Sequence, residues 1–173
     1  MKKVFFAPLI ALFLISNSCK KETDYNQIDE DLIVQYISDN NLDAVATGSG
    51  LYYVIENTGN GDFPNISSTV TVAYKGTLID GTIFDQSGPS GATFPLLNVI
   101  QGWQEGIPYF SEGGSGILLI PSSLGYGSQS IGNIPPNSVS IFEVSVLNVF
   151  SKITSLVKPF INISSILFLF DGL

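Results

Sequence analysis

Strict alternation of apolar and polar positions marks two strands. From Val70 onward, Val70, Val72 and Tyr74 fall on one face while Thr71, Ala73 and Lys75 fall on the other, the pattern of a half-buried antiparallel strand. Asp80-Gly81 then supplies a tight hairpin turn, after which Phe84 returns to the face of Tyr74 and Asp85 follows at the hairpin's end. Near the far end, Val139 to Val149 sets Phe142, Val144 and Val146 against Ile141, Glu143, Ser145 and Leu147. Two other runs read as strands without alternation. Leu51 to Ile55 precedes the turn-rich Asn57 to Asp62, and Ile117 to Ile120, between Gly113-Gly114-Ser115-Gly116 and Pro121, is continuously apolar as in a central strand buried on both faces.

Helical spacing appears twice. From Asp29 to Asn40, Ile28, Leu32 and Tyr36 recur with Ile33 and Ile37 beside them, and Asp29, Glu30 and Asp31 suit the positive end of the helix dipole. From Val99 to Gly106 a short amphipathic helix puts Ile100, the single tryptophan Trp103 and Ile107 on one face, with Asn98 placed to cap it and Gln101 three residues on. Pro108 ends or kinks that helix, because it removes a backbone donor. Gln86 to Thr93 reads as a loop, and so does Pro121 to Val139, which carries Tyr126, Ile131, Ile134, Pro135 and Pro136. A loop of the second kind in a compact domain is usually functional.

The two ends of the chain have a different character. Met1-Lys2-Lys3 followed by the apolar Val4 to Ile15 has the basic and hydrophobic regions of a secretory signal and is too short for a comfortable membrane span. Ser16-Asn17-Ser18 before Cys19 resembles a bacterial lipobox in which Cys19 becomes the lipidated first residue; the alternative is an ordinary signal with an incidental thiol. Lys20 to Gln27 is polar and aperiodic, as a tether is, and its Lys-Lys-Glu start resembles charged surface-export signals. The tail from Phe150 to Leu173 contains the apolar run Ile161 to Phe170, which admits a packed extra element, a shifted reading frame or a membrane-surface contact.

Composition narrows the chemistry. The 173 residues are 45% hydrophobic, enough for one core with extensions. Seven basic against 15 acidic residues give a net charge of −8, which argues against a nucleic-acid partner. No histidine and a single cysteine exclude Ser-His-Asp and Cys-His catalysis, Cys/His zinc sites and internal disulfides. Catalysis is left to hydroxyls, carboxylates, backbone groups or a dry, shaped pocket.

Val70 to Asp85, Val99 to Gly106, Leu124-Gly125-Tyr126-Gly127, and Ile134-Pro135-Pro136-Asn137 followed by Phe142-Glu143-Val144 together resemble the FK506-binding-protein (FKBP) family of peptidyl-prolyl isomerases. The order and spacing hold from about Gly50 to Val149. The resemblance implies an α+β fold, an antiparallel sheet of five or six strands wrapped around the short Val99–Gly106 helix and preceded by an N-terminal helix. The organisation that follows is a lipoprotein signal over 1–18, a tether over 19–28, a helical leader over 29–47, the FKBP-type domain over 48–149 and an unassigned apolar tail over 150–173.

Carried over residue by residue, the resemblance puts a substrate proline ring over Trp103. Phe84, Asp85 and Tyr126 join Trp103 as the catalytic set, and Tyr74, Phe94, Val99, Ile100, Ile134 and Phe142 form the substrate-binding set. The amide of Ile100 would hold a substrate carbonyl, the Tyr126 hydroxyl would hydrogen-bond, Ile134 would sit on a flap, and Asp85 would be the polar rim. No cofactor and no metal are implied. The implied partners are proline-containing polypeptides and FK506-like macrolides, with the membrane reached through a lipid on Cys19, and the expected state is a monomer in the cell envelope, at the periplasmic or surface face of the outer membrane. Two departures from the family bear on substrate preference and macrolide affinity: Gln86 to Thr93 holds no Arg or Lys to pair with Asp85, and the flap has no His. The competing reading is a non-enzymatic binding module of the same fold in an envelope or surface assembly. A carbohydrate-binding all-β lipoprotein is disfavoured by the mid-domain helix.

Overall fold

The computed structural model describes residues 23–150; the signal segment, Cys19 and the tail beyond Phe150 lie outside the described residues. Seven strands form one antiparallel sheet: β1 (Val45–Ala46), β2 (Tyr52–Asn57), β3 (Thr69–Leu78), β4 (Ile83–Gln86), β5 (Ala92–Pro95), β6 (Ser115–Ile120) and β7 (Ser140–Phe150). Their order is β1-β2-β6-β7-β3-β4, and β5 shares the outer edge of β3 with β4. The alternation at Val70, Val72, Val144 and Val146 buries these residues on the concave face, where Leu118, Ile120, Trp103, Ile107 and Phe110 complete the main core. Leu119 and Ile141 point to the opposite face and pack with Val54, Val139 and Ile33 in a second cluster. β6 is therefore central and apolar on both sides, as its unbroken hydrophobic run requires.

Helix α1 (Tyr25–Asp39) covers that second face. It begins four residues earlier than the periodicity predicts, so Tyr25 to Ile28 are helical and not part of a tether. Asp24 is the reason: its carboxylate accepts from the amides of Asn26 at 3.1 Å and Gln27 at 3.4 Å. At the other end Asn41 takes φ +51°, and Leu42 donates back to the carbonyl of Ile37, the left-handed stop that Asn tolerates. The buried stripe is also displaced. Ile28 and Leu32 are exposed, and it is Asp29 and Ile33 that are fully buried. Asp29 turns inward because Ser122 binds its carboxylate.

Helix α2 (Gln101–Gly106) is shorter than the predicted Val99–Gly106 and is not capped by Asn98. Leu96 to Asn98 form a 3-10 turn of their own, Ile100 becomes the N-cap with no side-chain bond, and Gln104 Nε2 reaches back to the Val99 carbonyl at 2.8 Å. Pro108 ends the α-helix as predicted, and the chain continues as a 3-10 turn over Ile107–Tyr109. Two strands have no counterpart in the sequence reading. Ala92 and Thr93, read as loop, begin β5, and β1 pairs with β2 in the segment read as helical leader. Both elements are too short to show a period.

Two glycines decide how closely α2 approaches the sheet. A Cβ on Gly102 would lie 2.4 Å from Ile120 Cγ2, and one on Gly106 would lie 2.6 Å from Leu118 Cδ2, both on residues with no exposed surface. Ala is worth ~1 kcal/mol more than Gly in a free helix, but overpacking a dense core costs ~1–3 kcal/mol. Gly102→Ala is therefore expected to lower the urea-unfolding midpoint, and a midpoint at or above that of the parent would show that the helix seat is loose.

Candidate active site

The concave face and α2 enclose a cavity of about 210 Å³. It is smaller than the ~300–1,000 Å³ typical of drug-sized ligands, so it fits one ring and not an extended chain. Trp103, 4% exposed, forms the floor. Three rings meet the indole nearly perpendicularly: Tyr74 at 5.2 Å between centroids, Phe142 at 5.3 Å and Phe94 at 5.8 Å. Edge-to-face pairs set the positive ring edge against the negative ring face, so each contact fixes an orientation as well as a distance. Val99, Ile100 and Asn98 complete one rim, and Asp85 and Tyr126 the other.

Eight of the ten pocket residues read from the sequence line this cavity; Phe84 and Ile134 do not. Phe84 stands behind the wall, edge-on to Phe142 at 5.5 Å and to Tyr126 at 5.7 Å. Ile134 is buried in a neighbouring groove of about 350 Å³ that Asp85 and Tyr126 share with Ile131, Gly132, Asn133 and Phe84. That groove is formed by a tight reversal in which Ile131 and Ile134 exchange backbone hydrogen bonds. Two contributors escaped the sequence reading. Asn98 lines the cavity instead of capping a helix, and Gly76 makes room for the rings, since a Cβ there would lie 2.7 Å from Phe84 and 2.8 Å from Phe142. Gly76 stands opposite Phe142 in the β3–β7 register, and no single-strand pattern reveals such a pairing.

A register shift between Gly76 and Thr77 leaves Phe84 unpaired, because Asp85 faces Gly76 and Ile83 faces Thr77. The irregularity turns Asp85 to the rim of the cavity and Phe84 to the neighbouring groove behind its wall. The Tyr74 hydroxyl donates to Asp85 Oδ2 at 2.8 Å. Burial, then this hydrogen bond, then the carboxylate charge push the Tyr74 phenol up to about 12. Burial and the charge of Asp85 also raise Tyr126. Both phenols are neutral at physiological pH, and Asp85 is the one formal charge lining the cavity. Lys75 is the only basic residue among those described, and it pairs with Glu143. Among the described residues no group of His, Cys, Asp or Glu is arranged to hold a metal.

Two backbone and side-chain donors at the rim are unused. Among the described residues the Ile100 amide and the Tyr126 hydroxyl have no hydrogen-bond acceptor, whereas the Ile100 carbonyl accepts from Trp103 and Gln104. The indole nitrogen of Trp103 is buried without a partner. The site thus offers an apolar, ring-walled slot with unengaged donors at its mouth and the indole N–H of Trp103 buried at its floor.

An antiparallel sheet folded around a tryptophan-bearing short helix, with this slot between them, defines an FKBP-like domain. The family model described as FKBP-type peptidyl-prolyl cis-trans isomerase matches residues 61–147, and the chain belongs to that family. It is 42% identical over 135 residues to the FKBP-type isomerase FkpA of Buchnera aphidicola subsp. Baizongia pistaciae, covering 77% of this chain and 53% of that protein. It is 45% identical over 105 residues to FkpA of Escherichia coli, covering 60% of this chain and 39% of that protein. The chain spans about half the length, or less, of these curated relatives. Among solved structures, it superposes on Escherichia coli FkpA with a TM-score of 0.62 at 35% identity, covering 73% of this chain and 62% of that one.

The coupling of Tyr74 to Asp85 has a readable pH signature. A phenol raised on folding contributes stability that is fully present below pH 10 and is lost as pH climbs towards about 12. Asp85→Asn is expected to bring the Tyr74 ionisation, followed by tyrosinate absorbance, part of the way back towards 10, since burial remains. An unchanged titration would show that the carboxylate does not act on this phenol.

Proposed function

We propose that the chain catalyses cis–trans isomerisation of Xaa-Pro peptide bonds, and that exported polypeptides are its substrates. The ring-walled slot over Trp103, with unengaged donors at its mouth, is the observation that carries this reading. Resonance gives the prolyl amide a barrier of roughly 18–20 kcal/mol, and crossing it makes and breaks no covalent bond. At the top of the barrier the amide is twisted, its nitrogen lone pair is localised, and its dipole is smaller than that of the planar form. Moving the bond from water into an apolar slot therefore favours the twisted state. Since ~1.4 kcal/mol is tenfold in rate, a few kcal/mol from desolvation and orientation gives accelerations of thousands-fold.

In this reading the proline ring lies on Trp103 between Tyr74, Phe94 and Phe142, with Val99 at the side. The Ile100 amide accepts the burden of orientation by donating to a substrate carbonyl, and the Tyr126 hydroxyl donates to a second. Asp85 polarises the rim and holds Tyr74 in place, Phe84 buttresses Phe142 and Tyr126, and Ile134 shapes the adjoining groove for the residues flanking proline. FK506-like macrolides present a comparable ring and would compete for the slot. In the same reading Cys19, following a signal over 1–18, carries a lipid that anchors the domain in the cell envelope, at the outer membrane, and the domain acts as a monomer. No helix among the described residues is long and apolar enough to cross a membrane.

Isomerisation of a short Xaa-Pro peptide is expected to be accelerated by the chain and to return to the uncatalysed rate with FK506. Trp103→Ala is expected to lose at least tenfold in kcat/KM, equivalent to ~1.4 kcal/mol, and Asp85→Ala less; full turnover by Trp103→Ala would remove the site from the slot. Separately, labelled palmitate is expected to enter the exported chain and to be absent from Cys19→Ala, and equal labelling of both would refute the anchor.

A further inference from the structure

Asp29 lies on α1, outside the matched family span, and has no exposed surface. Its Oδ2 accepts from the backbone amide of Ser122 at 2.8 Å and from the Ser122 hydroxyl at 2.6 Å, across 93 positions of sequence. Ser122 opens the 3-10 turn Ser122–Leu124, and its carbonyl is used twice: Gly125 donates to it at 3.1 Å and Gly127 at 2.8 Å. Those two glycines flank Tyr126. The Gly127 carbonyl in turn accepts from Asn137 at 2.8 Å, which closes the loop behind the aromatic ring. One carboxylate oxygen therefore holds the residue whose carbonyl holds both neighbours of Tyr126.

We infer that Asp29 is a positioning residue for the active site, fixing through Ser122 the loop that aims the Tyr126 hydroxyl at the slot. The inference rests on the role given to Tyr126 in the proposed reaction. Three features favour it over a plain anchor for the helix. The amide and the hydroxyl of one loop residue both donate to a single oxygen of Asp29, so the contact fixes the direction of the loop as well as its distance. The other oxygen, Oδ1, is buried with no partner among the described residues, a cost that an apolar side chain packed at this position would not incur. Ile33, one turn on, packs against Val54, Leu119, Val139 and Ile141, and Glu30 accepts from the Tyr52 hydroxyl, so the helix is held to the sheet without Asp29. The carboxylate adds directional control of the loop to a contact that Ile33 and Glu30 already secure.

The test is a double-mutant cycle in the full chain, reading kcat/KM for an Xaa-Pro peptide and urea stability side by side. Asp29→Asn is expected to lose about tenfold in kcat/KM, the cost of a small misplacement of a reacting group, and Ser122→Ala less, in the same direction. In a Tyr126→Phe background both activity losses are expected to shrink towards unity, while any stability loss persists. A merely structural Asp29 would cost stability in both backgrounds and leave the activity ratio unchanged by Tyr126. An active parent whose Asp29→Asn variant works at full rate, or loses the same factor with Phe at 126, overturns the inference. A parent that accelerates no peptide overturns the proposed function instead. If Asp29→Asn does not fold, Ser122→Ala, which leaves the amide bond in place, decides by the same cycle.

Discussion

Helix α2 packs onto strand β6 with no room for a side chain at two of its positions, and the geometry of the site depends on it. Gly102 and Gly106 face Ile120 and Leu118 with no room for a methyl group. They stand either side of Trp103, one turn apart, so the indole is pressed down between them until it floors the cavity. A helix held even one methyl further out would lift Trp103 away from the edges of Tyr74, Phe94 and Phe142. Gly76 repeats the device across the slot, where the rings of Phe84 and Phe142 lie over bare backbone. Three absent side chains thus set the depth of the slot and the height of its wall.

The rings in turn restrain one another. Trp103 meets three of them edge-on, Phe142 meets Phe84, and Phe84 meets Tyr126. A ligand entering this slot finds walls whose rotamer freedom was lost on folding, so little ordering cost falls on the binding step. The same burial that makes the slot apolar keeps both phenols protonated, and the single carboxylate at the rim is tied to one of them. A lining that is apolar apart from one carboxylate at its rim suits the proposed reaction, in which the dipole of the bond decreases and no charge develops.

Much of this was legible in the sequence where the signal is local or periodic. Alternation gave β3 and β7 their faces, the unbroken run at Ile117 to Ile120 marked the central strand, and Pro108 ended α2. The rings of Tyr74, Phe94 and Phe142 lie against Trp103, neighbours that the resemblance to the family had grouped and no single-strand period could. What escaped depends on contacts across the chain. The early start of α1 turns on Asp24 as a cap, competing with a polar composition that reads as tether. The inward turn of Asp29 requires Ser122, which no helical period can announce. β5 owes its strand character to the edge of β3, and Asn98 was drawn from cap to lining because the preceding 3-10 turn moved the helix start to Gln101. Phe84 and Ile134 were assigned to the same slot as Trp103 and instead face a second groove, since the register shift at Gly76 displaces one and the reversal at Gly132-Asn133 the other.

The order of the strands carries a consequence for how the chain reaches this state. β7 is the last of the described strands in chain order, yet it lies between β6 and β3 and is the one described element that hydrogen-bonds to both. Without it the sheet divides into two halves, β1-β2-β6 and β3 with β4 and β5, that share no hydrogen bonds. Each half then presents an open inner edge, ten residues long in β3, of the kind that pairs with any extended chain nearby. Phe142 also arrives with β7, so the slot has no back wall before the sheet is sealed. A chain interrupted short of residue 140 would keep both of these edges open, and the pairing of β7 is the event that closes them.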